Sequence, residues 1–481
     1  MTSVHSLGSQ AHNDDSADGA RDTAPLVAAG LAGSEIAEWE ATRPAGTGAY
    51  AADVAAYGRF WSASARLLAA LPEKPGRSAR EAQAAVRVLA AARDARERFL
   101  SAHAVDVYDR VTGNRSRLLR LDELLSETAR AVPGLVPGSA EIAAEATRDQ
   151  RDKEGAEVDQ GLFLSHVLAD RRAGTHLCHA MLLPRAESAG LAERFAAEGV
   201  LDFGCVRLER RGSAVLLTAG NPRFLNAEDD TTLDAMEVAV DVAILDPGSG
   251  VLVLRGAPVA HAKFAGRRVF GAGINLTHLY RGRIPYLWFL RRDMGYVHKL
   301  LRGVATPDAV PDDVHGHGIE KPWIAAVDGF AIGGHCQLLL CADYVVASAG
   351  AYLSLPARKE GFIPGLANLR LPRIVGERLA RQAIQYGRVL ACDSAEGRLV
   401  CDEVVSSDGM DAAIARAAAE TTEAGLVGTV GNRRALRLGT EPLDFFRRYC
   451  AVYAREQAHA YVSPALIANL ERHWNAAQRV A

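Results

Sequence analysis

Two glycine turns carry most of the chemistry this chain can offer. In Pro322-Trp323-Ile324-Ala325-Ala326-Val327-Asp328-Gly329-Phe330-Ala331-Ile332-Gly333-Gly334-His335-Cys336-Gln337 an apolar run ends at a turn glycine, and a Gly-Gly pair then opens a helical pattern through Leu338, Leu339 and Leu340. Upstream, Val269-Phe270-Gly271-Ala272-Gly273-Ile274-Asn275-Leu276 gives a second strand exit into a tight glycine turn. Two such turns, each leaving a strand and entering a helix, can aim two backbone N–H groups at one point. That arrangement holds a negatively charged carbonyl oxygen.

The elements around these turns alternate. Cys205–Glu209 and Ala214–Thr218 flank Arg210-Arg211-Gly212-Ser213 and read as a hairpin. A helix (Asp230 to Leu245), a turn at Asp246-Pro247-Gly248 and a strand (Val251 to Arg255) follow. After the first glycine turn come a helix (Tyr286 to Leu301), a strand (Trp323 to Val327), a helix from Gly334 and a strand (Tyr344 to Ala347). Strands alternating with helices argue for α/β architecture with crossovers. The first half differs. From Glu38 to about Ala196 it is rich in Ala, Arg, Glu and Leu at helical spacing, as in Ala79 to Ala104 and in Leu118 to Val132, which Pro133 and Gly134 end. The expected organisation is a mobile tail over 1–35, a helical domain over 36–199, the α/β core over 200–410, and helices over 411–481 with Pro464 interrupting.

Composition excludes several classes. The 481 residues are 49% hydrophobic and 23% charged, with a net charge of −3, so neither a nucleic-acid partner nor a membrane surface is expected. No apolar run approaches a membrane span, and the polar, acidic start lacks the pattern of a signal peptide, which points to the cytoplasm. Seven scattered cysteines form no CxxC pair and read as buried thiols; no Cys-His-Asn pattern supports Cys336 as a nucleophile. His315-Gly316-His317 has metal-like spacing but sits in a Pro/Asp/Gly-rich loop without a third His nearby in sequence. The glycines from Gly266 to Gly273 miss the dinucleotide register.

Four motifs in order resemble the crotonase (enoyl-CoA hydratase/isomerase) superfamily: Asn221-Pro-Arg-Phe-Leu-Asn226-Ala-Glu228, Phe270-Gly-Ala-Gly-Ile-Asn-Leu276, the turn at Gly334, and Leu355-Pro356 through Ile363-Pro364-Gly365. The resemblance implies the ββα spiral fold, an acyl-CoA thioester as substrate, and Ile274 and Gly334 as the two oxyanion donors. It also implies a homo-oligomer, a trimer or a dimer of trimers. The added N-terminal helices, Gly333-Gly-His-Cys-Gln337 and Pro356-Ala-Arg-Lys-Glu-Gly361 are similar to one branch of that superfamily. Its members oxidise 3,5-dihydroxyphenylacetyl-CoA with O2 to 3,5-dihydroxyphenylglyoxylate and CoA, using neither metal nor organic cofactor, in glycopeptide antibiotic biosynthesis.

By that resemblance Gln337, Glu228 and Arg292 are polar groups at the acyl end, with Arg291 leaving the register open by one. Arg223, His261, Ala272, Gly273, Asn275, Leu276 and Thr277 contact the CoA thioester, and Ile274 and Leu276 are candidates for an apolar O2 pocket. Hydratases place two glutamates where this chain has Gln337 and Ala357. An amide exchanges no proton near neutral pH and a methyl group none at all, which argues against hydration. The alternatives left open are another thioester hydrolase or decarboxylase of the same fold, or a non-catalytic acyl-CoA-binding subunit. The identity of the α-proton base is not readable from the sequence.

Overall fold

The computed structural model describes residues 22–309, 314–315, 318–423 and 425–479. Among the described residues ten strands run in chain order: β1 (Val200–Asp202), β2 (Val206–Arg211), β3 (Ala214–Ala219), β4 (Val251–Gly256), β5 (Trp323–Val327), β6 (Phe330–Ile332), β7 (Tyr344–Ser348), β8 (Tyr352–Ser354), β9 (Leu390–Ala391) and β10 (Glu403–Val405). Seven of them form one sheet in the order β1-β2-β3-β4-β5-β7-β10, antiparallel from β1 to β3 and parallel beyond. β6, β8 and β9 make a second, smaller sheet.

β4 and β5 are buried along their whole length, which explains why they read as continuous apolar runs. Leu252, Leu254, Trp323 and Ala325 face the main core, while Val251, Val253, Ile324 and Ala326 pack beneath the helix Met410–Glu423. This α/β spiral with helices at both ends matches the fold class expected from sequence.

Some boundaries move. The tail assigned to 1–35 is corrected beyond residue 21. Ala24–Ala28 and Gly33–Ala41 are helices, and Leu26 and Trp39 are wholly buried; Trp39 Nε1 donates to Ser64 Oγ at 2.8 Å. Residues 1–21 and His317 lie outside the described residues. The helix foreseen from Tyr286 to Leu301 is two helices, Tyr286–Met294 and Tyr296–Arg302, broken at Gly295. A Cβ at Gly295 would lie 2.3 Å from the Arg291 carbonyl oxygen and 3.1 Å from Glu237 Oε1. The helix foreseen from Asp230 begins at Leu233, because Asp229 is spent on a turn with Thr231 and Thr232.

The helical first half shares the core of the second rather than forming its own. One apolar cluster runs from Leu26 and Phe99 through Leu254 and Trp323 to Phe446 and Leu470. The helix Val158–Ala169 crosses the helix Leu443–Tyr461 so closely that a Cβ on Gly161 would meet the Ala458 Cβ at 2.5 Å.

Candidate active site

Three extended segments lie side by side and bring the two glycine turns together. Gly271 pairs with Ala331 and Glu228 with Ile274 in parallel bridges. The supporting bonds are Ile332 N–H to Gly271 O at 3.0 Å, Glu228 N–H to Gly273 O at 2.7 Å and Asn275 N–H to Glu228 O at 2.7 Å. Asn226 anchors the third segment in the left-handed region (φ 58°), donating to Ala257 O and Val269 O and accepting from the Asn221 N–H. Gly273 (φ +82°) and Gly333 (φ +55°) touch; a Cβ on Gly273 would stand 3.2 Å from the Gly334 nitrogen. Only glycine allows this approach in that conformation.

The Ile274 and Gly334 amides border one pocket, and neither shows a hydrogen-bond partner among the described residues. Two unspent donors at adjoining turns are what an oxyanion requires. The rest of the wall is largely apolar: Trp288, Phe289, Phe362, Ile363 and Tyr453. Gln337 and Ala357 both line it.

Arg292 organises the polar side. It is 3% exposed and grips Glu228 in a fork, with Nε to Oε1 and Oε2 at 3.0 Å each and Nη2 to Oε2 at 2.8 Å. It also donates to Asp293 Oδ1 and the Gly334 carbonyl at 2.8 Å and to Gln337 Oε1 at 3.0 Å. Tyr296, at the start of the next helix, donates its hydroxyl to Glu228 Oε1. Burial alone would raise the Glu228 carboxyl, but Arg292, with His335 and Tyr296, holds it below the ordinary carboxylate range. Arg291 faces outward to Asp122 and Asp234. Of the two arginines, Arg292 is the one that reaches the pocket.

His335 is buried behind the turn, and its Nδ1 accepts the Gly273 N–H at 3.0 Å. Burial, joined by Arg292 and opposed by Glu228, pushes it down to about 4, so the ring is neutral. Cys336 is inert, since burial pushes its thiol up to about 12.

An outer cleft meets the pocket at Ile274. Arg223, His261, Ala272, Asn275, Leu276 and Thr277 line it together with Trp474 and Arg479. Its basic groups suit the phosphates of a nucleotide-bearing thioester. Two residues assigned to substrate contact are otherwise engaged. Gly273 spends its N–H on His335 and its carbonyl on Glu228. The Asn275 side chain caps the helix Leu276–Tyr280 and donates to Asp229, and its main chain donates to Glu228 O and accepts from the Leu279 N–H. Leu276 lies in the outer cleft and not in the inner pocket.

Asp229, Asp230 and His278 bring three possible ligand atoms within 4.8 Å of one another. Their hydrogen bonds already account for this: His278 Nδ1 with Asp230 at 2.8 Å, and Asp229 with Asn221, Asn275 and Thr231.

Sequence reasoning missed Tyr296, Tyr453, Trp474 and Glu360. Tyr296 was detectable as the residue one turn from Arg292, and Glu360 as one turn from Ala357. Tyr453 and Trp474 come from helices remote in sequence and carried no signal.

The enoyl-CoA hydratase/isomerase profile matches residues 315–429. The chain is similar to (3,5-dihydroxyphenyl)acetyl-CoA 1,2-dioxygenase of Amycolatopsis orientalis, with 49% identity over 82% of this chain and 89% of that one. It is also similar to a probable enoyl-CoA hydratase of Rhizobium meliloti (strain 1021), 29% identical over 43% of this chain and 71% of that one. A solved enoyl-CoA hydratase from Mycobacterium avium subsp. paratuberculosis K-10 superposes with a TM-score of 0.46 and 18% identity, over 58% of this chain and 100% of that chain.

Proposed function

The chain belongs to the enoyl-CoA hydratase/isomerase family, the crotonases, and from that premise we propose that it is a dioxygenase of 3,5-dihydroxyphenylacetyl-CoA. The observation that carries this is the 49% identity to the Amycolatopsis orientalis dioxygenase over 82% of the chain, helical first half included. The site supports it. Two free amides suit an enolate oxygen, while Gln337 and Ala357 stand where hydratases keep acids.

The chemistry follows from the substrate. Its α-proton lies between a thioester carbonyl and an aromatic ring, so two aligned donors, each worth about 3 kcal/mol, favour the enolate. The enolate gives one electron to O2, and the two radicals combine as a peroxide on the α-carbon. Peroxide attack on the thioester carbonyl expels CoA as its thiolate. Loss of the second α-proton with O–O cleavage then leaves 3,5-dihydroxyphenylglyoxylate, which carries both oxygen atoms. The five Arg292 N–H groups are spent on Glu228, Asp293, Gln337 and Gly334, so the role expected of Arg292 at the phenolic oxygens passes to the Gln337 side-chain N–H, and the apolar wall admits O2. Because the enolate is itself the reductant, no metal or organic cofactor is needed.

The enzyme works in the cytoplasm as a homo-oligomer, a trimer or a dimer of trimers. Exposed Val427, Leu436, Phe445 and Val452 on the C-terminal helices support the association.

An oxygen electrode with 3,5-dihydroxyphenylacetyl-CoA tests the reading. Oxygen uptake should match CoA release, survive exhaustive chelation and stop without O2. CoA release at full rate under anaerobic conditions would instead identify a hydrolase, and binding without turnover a non-catalytic subunit.

A further inference from the structure

The reaction needs a base, and most acids in or behind the pocket are engaged. Glu228 is clamped by Arg292 and Tyr296. Asp293 is held by Arg292 and bonded by Tyr453. His335 uses Nδ1 to accept the Gly273 N–H.

Glu360 differs from all of these. It ends the one-turn helix Ala357–Glu360, three residues after the position where hydratases carry an acid, and both residues line the pocket. It is 7% exposed, yet its carboxyl has no hydrogen bond or ion pair among the described residues. Burying a carboxyl without a partner is costly, and a fold retains one where chemistry uses it.

We infer that Glu360 is the base that takes the α-proton from the thioester. This rests on the dioxygenase reading and names the residue that begins it. The α-C–H bond breaks, the proton passes to a Glu360 oxygen, and the electron pair moves onto the thioester oxygen between the Ile274 and Gly334 amides. The proton returns to solvent before the next turnover.

Burial pushes the Glu360 carboxyl up to about 7, which suits a base working near neutrality. The charged groups around it leave that value to burial. In the pocket, Glu228 and Asp293 are tied to Arg292. On the packed helix Glu377–Tyr386, Arg381 pairs with Glu377 and Arg378 is exposed. On Pro464–Trp474, Glu471 pairs with Arg151, and Arg472 and His473 are exposed.

Deuterium exchange at the α-carbon of 3,5-dihydroxyphenylacetyl-CoA, followed by NMR in D2O without O2 on the full-length enzyme, isolates this step. Wild type should exchange with a rate that rises with pH to a plateau, midpoint near 7. Glu360→Gln should slow exchange and aerobic turnover together by roughly 10²–10⁴-fold, and Glu360→Asp should keep part of both. Wild-type exchange in Glu360→Gln, or turnover lost while exchange persists, would overturn the assignment. So would a flat pH profile in the wild type, which needs no variant to fold. If the wild type releases CoA without consuming O2, the dioxygenase reading fails instead, and exchange still reports on Glu360.

Discussion

Two buried glutamates border the same pocket in opposite electrostatic conditions. Glu228 is wrapped by a forked guanidinium and a phenol and is held as a carboxylate. Glu360, lining the same pocket, has only burial acting on it, which pushes its carboxyl up to about 7. The same side chain thus serves two ends. One is a fixed charge that positions Arg292 and the Gly334 turn; the other is a group able to change charge during a turnover. What separates them is the company of Arg292 and Tyr296, with which Glu360 forms no hydrogen bond or ion pair among the described residues.

The comparison can be broken most forcefully from the paired side. Arg292→Met leaves Glu228 buried without its partner and should destabilise the fold by about 3–5 kcal/mol, read as a fall in thermal midpoint. Adding Glu228→Gln should recover part of that loss; a single variant as stable as wild type would show the pair is dispensable.

Gly334→Pro comes next. It deletes an oxyanion donor and pushes a Cβ to 2.8 Å from Glu228 Oε2. Turnover should drop by at least about 10²–10³-fold. A folded variant with undiminished turnover would refute the role of the Gly334 amide.

The unpaired side is sharpened by stability against pH. The Glu360 carboxyl sits at about 7 in the fold against 4.5 ordinarily. Between those values the native state keeps a proton that the unfolded chain has released. Wild-type stability therefore falls as pH rises through this window and levels off above it. Glu360→Gln escapes the penalty and should gain about 3 kcal/mol relative to wild type above the window and nothing below it. Equal stability differences at both ends in denaturant titrations would remove the unpaired-carboxyl picture.

The smallest effect is expected at Gln337→Glu. A carboxylate there would compete with Glu228 for Arg292 and oppose the enolate, lowering oxygen uptake on the order of tenfold. No hydration of an enoyl-CoA should appear, because Ala357 still supplies no acid. Wild-type oxygen uptake would put Gln337 away from the reacting atoms.

Much of this was legible along the chain. The strand exits at Phe270 and Ile332, the glycines after them, and the segment ending at Gly365 are local patterns, so sequence exposes them directly. Choosing Arg292 over Arg291 needed the helix phase, which depends on Trp288 and Phe289 being buried. The Gly295 break was hidden because it turns on a close backbone approach, a Cβ there meeting the Arg291 carbonyl oxygen at 2.3 Å, which helical spacing does not reveal. Glu360 lay inside a quoted motif, yet a glutamate in a Lys-Glu pair reads as surface until its burial is known. The helices from Ala24 were missed for a related reason: Leu26 and Trp39 are too sparse to show a period without the helices Ala79–Val111 and Tyr50–Ala69 against which they respectively pack.

One bond in the first half has a consequence for how this enzyme can be re-engineered. The Glu157 carboxylate accepts the Tyr286 N–H at 2.8 Å, while the Tyr286 hydroxyl donates to Ala454 O at 2.6 Å. The helix that presents Arg292 is therefore docked at its start by residues before and after the spiral. Transplanting the pocket residues onto a compact hydratase would import the side chains without the anchors that set their phase. A successful chimaera must inherit the extension and the closing helix together with the glycine turns.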